Sequence, residues 1–139
     1  MVRIFQILAI LILTTISSFA QNNHTLTIEF SGMDTDTGNV FVGIHNKEAD
    51  FLKKRFKEAV VVVKNNKATA VFENLPEGEY AVSAFHDEND NKKMDTKIFG
   101  IPKEPIGVSN NAKGFMGPPK YKDAKFTLDK DLTLKIEMD

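Results

Sequence analysis

The sequence predicts an all-β fold, a sandwich built from seven short strands. Three observations predict it. Apolar and polar residues alternate with period two along most of the chain. Gly, Pro, Asn and Asp gather between the alternating runs, as turn residues do. Helical spacing is confined to one short segment around Leu52 and Phe56, four residues apart. Short strands at turn-punctuated intervals, without helices to cross between them, favour two packed sheets.

The chain begins with an address. Residues 1–20 carry Arg3 near the start, an apolar run over residues 4–13, and a small-x-small exit at Ser18-Phe19-Ala20. That is the layout of a secretory signal peptide cut after Ala20. The run is about ten residues, against the roughly twenty that span a bilayer. The expectation is a single domain over residues 21–139, secreted or periplasmic, with no membrane span after signal cleavage.

In the first strand Leu26, Ile28 and Phe30 alternate with polar neighbours. A polar turn from Gly32 to Asn39 leads to a second strand over residues 40–44, and the two look like a hairpin. Residues 49–57 read as a single helical turn in a connection. A four-valine run at 60–63 is a third strand, since β-branching favours extended backbone. Asn65-Asn66 turns it into a fourth at 68–72, and Pro76 and Gly78 punctuate the way to a fifth at 80–85. Phe126 and Leu128 belong to a sixth. After the Asp129-Lys130-Asp131 turn, Leu132, Leu134, Ile136 and Met138 form a seventh with one wet face. Leu26, Ile28, Phe30, Val71, Leu132, Leu134 and Ile136 are expected to face inward. Residues 87–122 have no such periodicity, yet they carry Phe99, Ile101, Ile106, Phe115 and Met116 among four glycines and four prolines. They read as one long ordered loop packed on the sandwich edge.

Composition narrows the function. Basic and acidic side chains number 18 and 19, and the net charge is -1. That balance excludes a polybasic nucleic-acid binder, an acidic tail and a disordered chain. The absence of cysteine excludes disulfides, thiolate metal cages and cysteine nucleophiles.

Two stretches resemble known families. Residues 72–82 (FENLPEGEYAV) resemble the leucine-proline-x-glycine-x-tyrosine turn of prealbumin-like domains. Residues 85–96 (FHDENDNKKMDT), 99–111 (FGIPKEPIGVSNN) and 115–119 (FMGPP) are similar to the bacterial secreted family catalogued as domain of unknown function 2141. The resemblance covers essentially all of residues 21–139. It implies a Greek-key, prealbumin- or transthyretin-like sandwich and an exported protein, and it implies no activity. The family usually has glycines inside the acidic loop, where this chain has Asp90 and Lys92.

Three constellations could carry chemistry. Asp87, Asn89, Asn91 and Asp95 stand at positions 1, 3, 5 and 9 of a loop, a spacing that can turn hard oxygens toward one calcium ion. Position 6 is Lys92 rather than Gly, and position 12 is Ile98 rather than Glu, so this is no EF-hand. The bland alternative is an Asx-rich turn capping its own backbone. Second, Lys103 and Glu104 with Ser109, Asn110 and Asn111 lie on a segment stiffened by Pro102 and Pro105. Such groups suit carbohydrate or peptide hydroxyls and amides, or else they satisfy the backbone of a buried loop. Third, His86 beside Asp87 could orient a carboxylate or end a strand. The three histidines lack zinc-type spacing, and Ser31, Ser83 and Ser109 sit in no nucleophile elbow.

The reading is an exported, non-enzymatic binding or structural module whose loop 87–122 forms a recognition surface, organised by calcium if the acidic turn binds it. Its partner would be a carbohydrate or peptide ligand or another exported protein, the last through edge-strand pairing. The competing reading is a small secreted hydrolase using His86, Asp87 and Glu104. It requires those three side chains to converge on an open pocket.

Overall fold

The computed structural model describes residues 21–139, so the signal-peptide reading of residues 1–20 lies outside it. Eight strands fall into two sheets: β1 Asn23–Ser31, β2 Asn39–His45, β3 Lys57–Val62, β4 Ala68–Pro76, β5 Gly78–Asp87, β6 Ile106–Val108, β7 Phe126–Leu128 and β8 Leu132–Glu137. One helical turn, α1 Tyr121–Ala124, precedes β7. The smaller sheet has the order β4-β1-β8, and the larger runs β3-β2-β5-β6 with β7 on the other end of β5. The all-β expectation holds. The eighth strand is β6, which lies inside the long loop.

The expected hairpin of β1 with β2 is not formed. β1 is flanked by β4, antiparallel, and by β8, parallel, from Leu26 opposite Leu132 to Ser31 opposite Glu137. Both its edges are taken, and β2 pairs with β3 and β5 in the other sheet. The turn from Gly32 to Asn39 crosses between sheets, and Met33 is buried in it. The Asn65-Asn66 turn does form. Both residues take left-handed backbone, φ 53 and 57, and close a bridge between Lys64 and Lys67. The Asp36 carboxylate accepts both of their amide N–H groups, at 3.1 and 2.5 Å.

The core lies between the sheets. Leu26, Ile28 and Phe30 meet Val40, Val42 and Ile44, with Val82, Leu128 and Ile136 completing it. Leu132 and Leu134 pack against its margin. Val71 does not face inward: it is 53% exposed, and Ala70 and Phe72 take the core side of β4. On that side Ala68 stands opposite Phe30, Ala70 opposite Ile28 and Phe72 opposite Leu26. The leucine-proline turn also has its physical account. Leu75 is fully buried, and the hydroxyl of buried Tyr80 donates to the Pro76 carbonyl at 2.6 Å, pinning the crossing from β4 to β5. Burial also raises the Tyr80 phenol above its ordinary value.

A second, smaller core covers part of the outer face of the larger sheet. Phe51, from the β2–β3 connection, packs edge-on against Tyr121 of α1, with Ala81, Val108 and Ala124 beside them. The rest of that outer face is left open.

Candidate functional site

The acidic turn is closed upon itself. Asp87 is fully buried, and its carboxylate accepts the amide N–H groups of Asn91 and Lys92, at 3.2 and 2.9 Å. Asn89 and Asn91 aim their amide N–H groups, not their oxygens, at the Asp95 carboxylate, at 2.6 to 2.9 Å. Those bonds, the Asn89 one foremost, hold Asp95 below its ordinary carboxylate value. The structure therefore brings the four residues together through hydrogen bonds. Among the described residues, no group of three or more His, Cys, Asp or Glu side chains is placed to hold a metal ion. Asp90 and Lys92 both take left-handed backbone, φ 56 and 68, so the turn follows a glycine-like path without glycine.

The other expected residues are mostly scaffolding. The Ser109 hydroxyl, fully buried, donates to the Ala124 carbonyl at 2.5 Å and accepts the Val82 amide N–H at 2.9 Å. Asn110 donates to the carbonyls of Asp123 and Lys125, and Asn111 accepts the Glu137 N–H. His86 is fully buried, its Nε2 2.6 Å from the Thr37 carbonyl. Glu104 is buried with one oxygen on the Asp95 N–H and the other without a partner among the described residues. The Lys103 side chain is exposed, while its amide bonds the Asp95 carbonyl.

What these anchors support is a groove on the open face of the larger sheet, about 1680 Å³ in volume. Its floor is apolar. Phe41 and Phe85 are register partners on β2 and β5, and their rings stack at 5.0 Å with only 9° between planes. Val60, opposite Phe41, and Ile106, opposite Phe85, extend the floor. Its walls are basic. Lys53 and Lys54 come from the β2–β3 connection, Lys57 from the start of β3, and Lys92, Lys93 and Lys113 from the long loop. Arg55 crosses β2 at Gly43, where a Cβ would sit 2.9 Å from its side-chain carbons, so glycine leaves room for it there. Arg55 pairs with Glu58 at 3.0 Å, and Lys113 and Lys92 pair with Asp139 and Asp90. Lys53, Lys54, Lys57 and Lys93 make no ion pair among the described residues.

Ser83 and His45 lie deeper in the same groove. His45 Nε2 is 2.8 Å from the Ser83 hydroxyl, and Nδ1 is 3.0 Å from the Lys54 carbonyl. A carbonyl can only accept, so Nδ1 carries the proton and Nε2 accepts from Ser83. Burial lowers the His45 pKa and keeps the ring neutral. Sequence reading missed both this pair and the groove. The available signal was the Lys-Lys-Arg-Phe-Lys run at 53–57, taken there as a helical turn only.

The model of the family described as "Uncharacterized protein conserved in bacteria (DUF2141)" matches residues 28–135. The match covers most of the chain, including β2, β3, β5 and β6 of the groove, and the chain belongs to that family. No curated protein and no solved structure matches it.

Proposed function

We propose that this member of the family is an exported, non-enzymatic binding module on a Greek-key, prealbumin-like sandwich, and that its groove receives an acidic carbohydrate. Loop 87–122 forms one wall of the recognition surface. The observation that carries the reading is a stacked aromatic floor between lysines that make no ion pair, on a chain of net charge -1. The paired rings turn their faces to each other and offer the groove their edges, against which the apolar C–H patches of sugar rings can pack. Carboxylates or sulfates on the sugars suit the ammonium walls. An extended peptide would gain less, because the floor is a sheet face and offers no backbone ladder. Lys103, Ser109, Asn110 and Asn111 enter this reading as supports of the wall, apart from Asn111, which also lines the groove.

Calcium belongs to the reading as a weak organiser of the wall. A cation at Asp87, Asn89, Asn91 and Asp95 has to displace the asparagine amides and turn their oxygens inward. The hydrolase alternative on His86, Asp87 and Glu104 has less support, since all three are buried and none lines the groove. Ser83 with His45 is the pair better placed for it.

One titration separates these readings. A uronic-acid or sulfated oligosaccharide should bind, weaken as salt rises, and be recovered intact. Reversing Lys53, Lys57 and Lys93 to Glu should weaken binding at least tenfold, by roughly 0.5 kcal/mol or more per charge at this exposure. Unchanged affinity in that variant refutes the groove. Cleavage of the ligand that stops with Ser83→Ala would replace the binding module with an enzyme.

A further inference from the structure

Beside the groove, the long loop does something unusual for a protein in water. Phe99 is 97% exposed, Phe115 92% and Met116 95%, with Ile98 and Ile101 also outside. Single exposed apolar residues need no explanation, but two clusters of large ones on loop tips do. Each tip is held outward by a non-glycine residue in left-handed backbone, Phe99 at φ 63 and Met116 at φ 55. The backbone strain is spent on presenting the side chains rather than hiding them. Both loops border the same groove, Phe99 to Pro102 on one part of its rim and Gly114 with Gly117 to Pro119 on another.

Charge gives the second half of the pattern. Residues 92–122 hold seven lysines against two acids, although the whole chain carries 18 basic and 19 acidic side chains. Lys97 and Lys103 flank the Phe99 tip, and Lys113 and Lys120 flank the Phe115 tip. Apolar tips collared by lysines match the interface of an anionic bilayer: rings enter the acyl boundary while ammonium groups stay among the head groups. A soluble acidic ligand explains the lysines but leaves the rings in water.

We propose that this face of the domain seats on an anionic lipid surface, with Phe99 and Phe115-Met116 inserted at the interface and the basic groove over the head groups. The inference rests on the reading of that groove as the binding face, and it names where the acidic ligand is carried.

The chain has no tryptophan, so Phe99→Trp and Phe115→Trp each place a single reporter at a tip. With phosphatidylglycerol-containing vesicles, both emissions should shift to the blue and be quenched by brominated acyl chains. Pure phosphatidylcholine vesicles should give neither effect, and high salt should release the protein. Phe99→Ser and Phe115→Ser should each weaken vesicle binding about tenfold, the partition equivalent of roughly 1.4 kcal/mol, with the melting temperature unchanged. Unshifted emission with anionic vesicles overturns the inference, as does a dimer in solution that the two serine substitutions dissolve. Binding of the soluble acidic oligosaccharide without vesicle binding sinks the lipid surface alone. Binding of neither sinks the groove with it.

Discussion

The acidic turn with its Ser109 buttress and the open face of the larger sheet are built in opposite ways. In the first, nearly every polar side chain is turned inward. Asp87 caps two amides, Ser109 joins β5 to α1, and Asn110 holds two carbonyls. In the second, Phe41 and Phe85 pair only with each other beneath the groove, and the lysine ammonium groups around them have few partners within the described residues. Residue types that look chemical in a sequence can all be consumed in holding a loop together. The face left over for a partner is made of the least chemical-looking residues, Phe and Lys.

The largest expected effect tests the inward half of that contrast. Ser109→Ala leaves the Val82 N–H and the Ala124 carbonyl buried without partners. Each orphaned group costs about 1–3 kcal/mol, so the variant should lose roughly 2–4 kcal/mol in urea unfolding. The same measurement on Phe99→Ser should move by less than about 0.5 kcal/mol, as for an exposed substitution. A cost for Ser109→Ala below about 1 kcal/mol would mean that the loop is held elsewhere.

How much of this was legible follows from the same contrast. Alternation along a strand is local, so all seven expected strands are present. The long loop, by contrast, pairs with the sheet only through β6, and Phe99, Ile101, Phe115 and Met116, which were expected to pack on the sandwich edge, are exposed. Pairing is not local. The polar run from Gly32 to Asn39 suits a hairpin and an inter-sheet crossing equally, and only the arrival of β4 and β8 on both edges of β1 decides between them. Val71 misled because valine outweighs alanine in hydrophobicity, whereas the alternation of β4 turns Ala68, Ala70 and Phe72 to the core and Val71 to the other side. The groove was out of reach for a similar reason. Its floor joins Phe41 to Phe85, and its buried pair joins His45 to Ser83 across 38 residues. Neither spacing is a motif.

A smaller effect tests the open face from beneath. The His45 pKa is lowered, first by burial, while in the unfolded chain the ring titrates near about 6.5. Between those two values the unfolded state binds a proton that the folded state refuses. Stability should therefore be level above pH 6.5 as far as His45 is concerned, and fall as pH drops below it toward the folded pKa. One such proton gives a slope of at most about 1.4 kcal/mol per pH unit. Subtracting the pH profile of His45→Asn isolates it. If the two profiles run parallel from pH 7 to 5, the ring titrates alike in both states and is not sealed beneath the groove.

Calcium gives the smallest effect and the sharpest test of whether the acidic turn is wholly self-satisfied. A ready-made site at a dissociation constant of about 0.1 mM would add roughly 1.4 kcal/mol at about 1 mM calcium. This turn is not ready-made, because the ion must first take Asp95 from the amides of Asn89 and Asn91 and Asp87 from two backbone N–H groups. Affinity should then sit at the weak end for exported modules, about 1 mM. Linkage at about 1 mM calcium gives RT ln 2, about 0.4 kcal/mol, which raises the melting temperature by roughly 2 °C in a domain of this size. Magnesium should do less, since its small octahedral shell tolerates such a loop poorly. Asp95→Asn should remove the rise, because it deletes the carboxylate that the two amides now occupy. A melting curve that stays still at several times this calcium concentration would show that the hydrogen bonds outcompete the ion, leaving the turn as pure scaffold. A rise several-fold larger would mean that the asparagine amides turn over readily, and that part of the loop's polar chemistry faces outward after all.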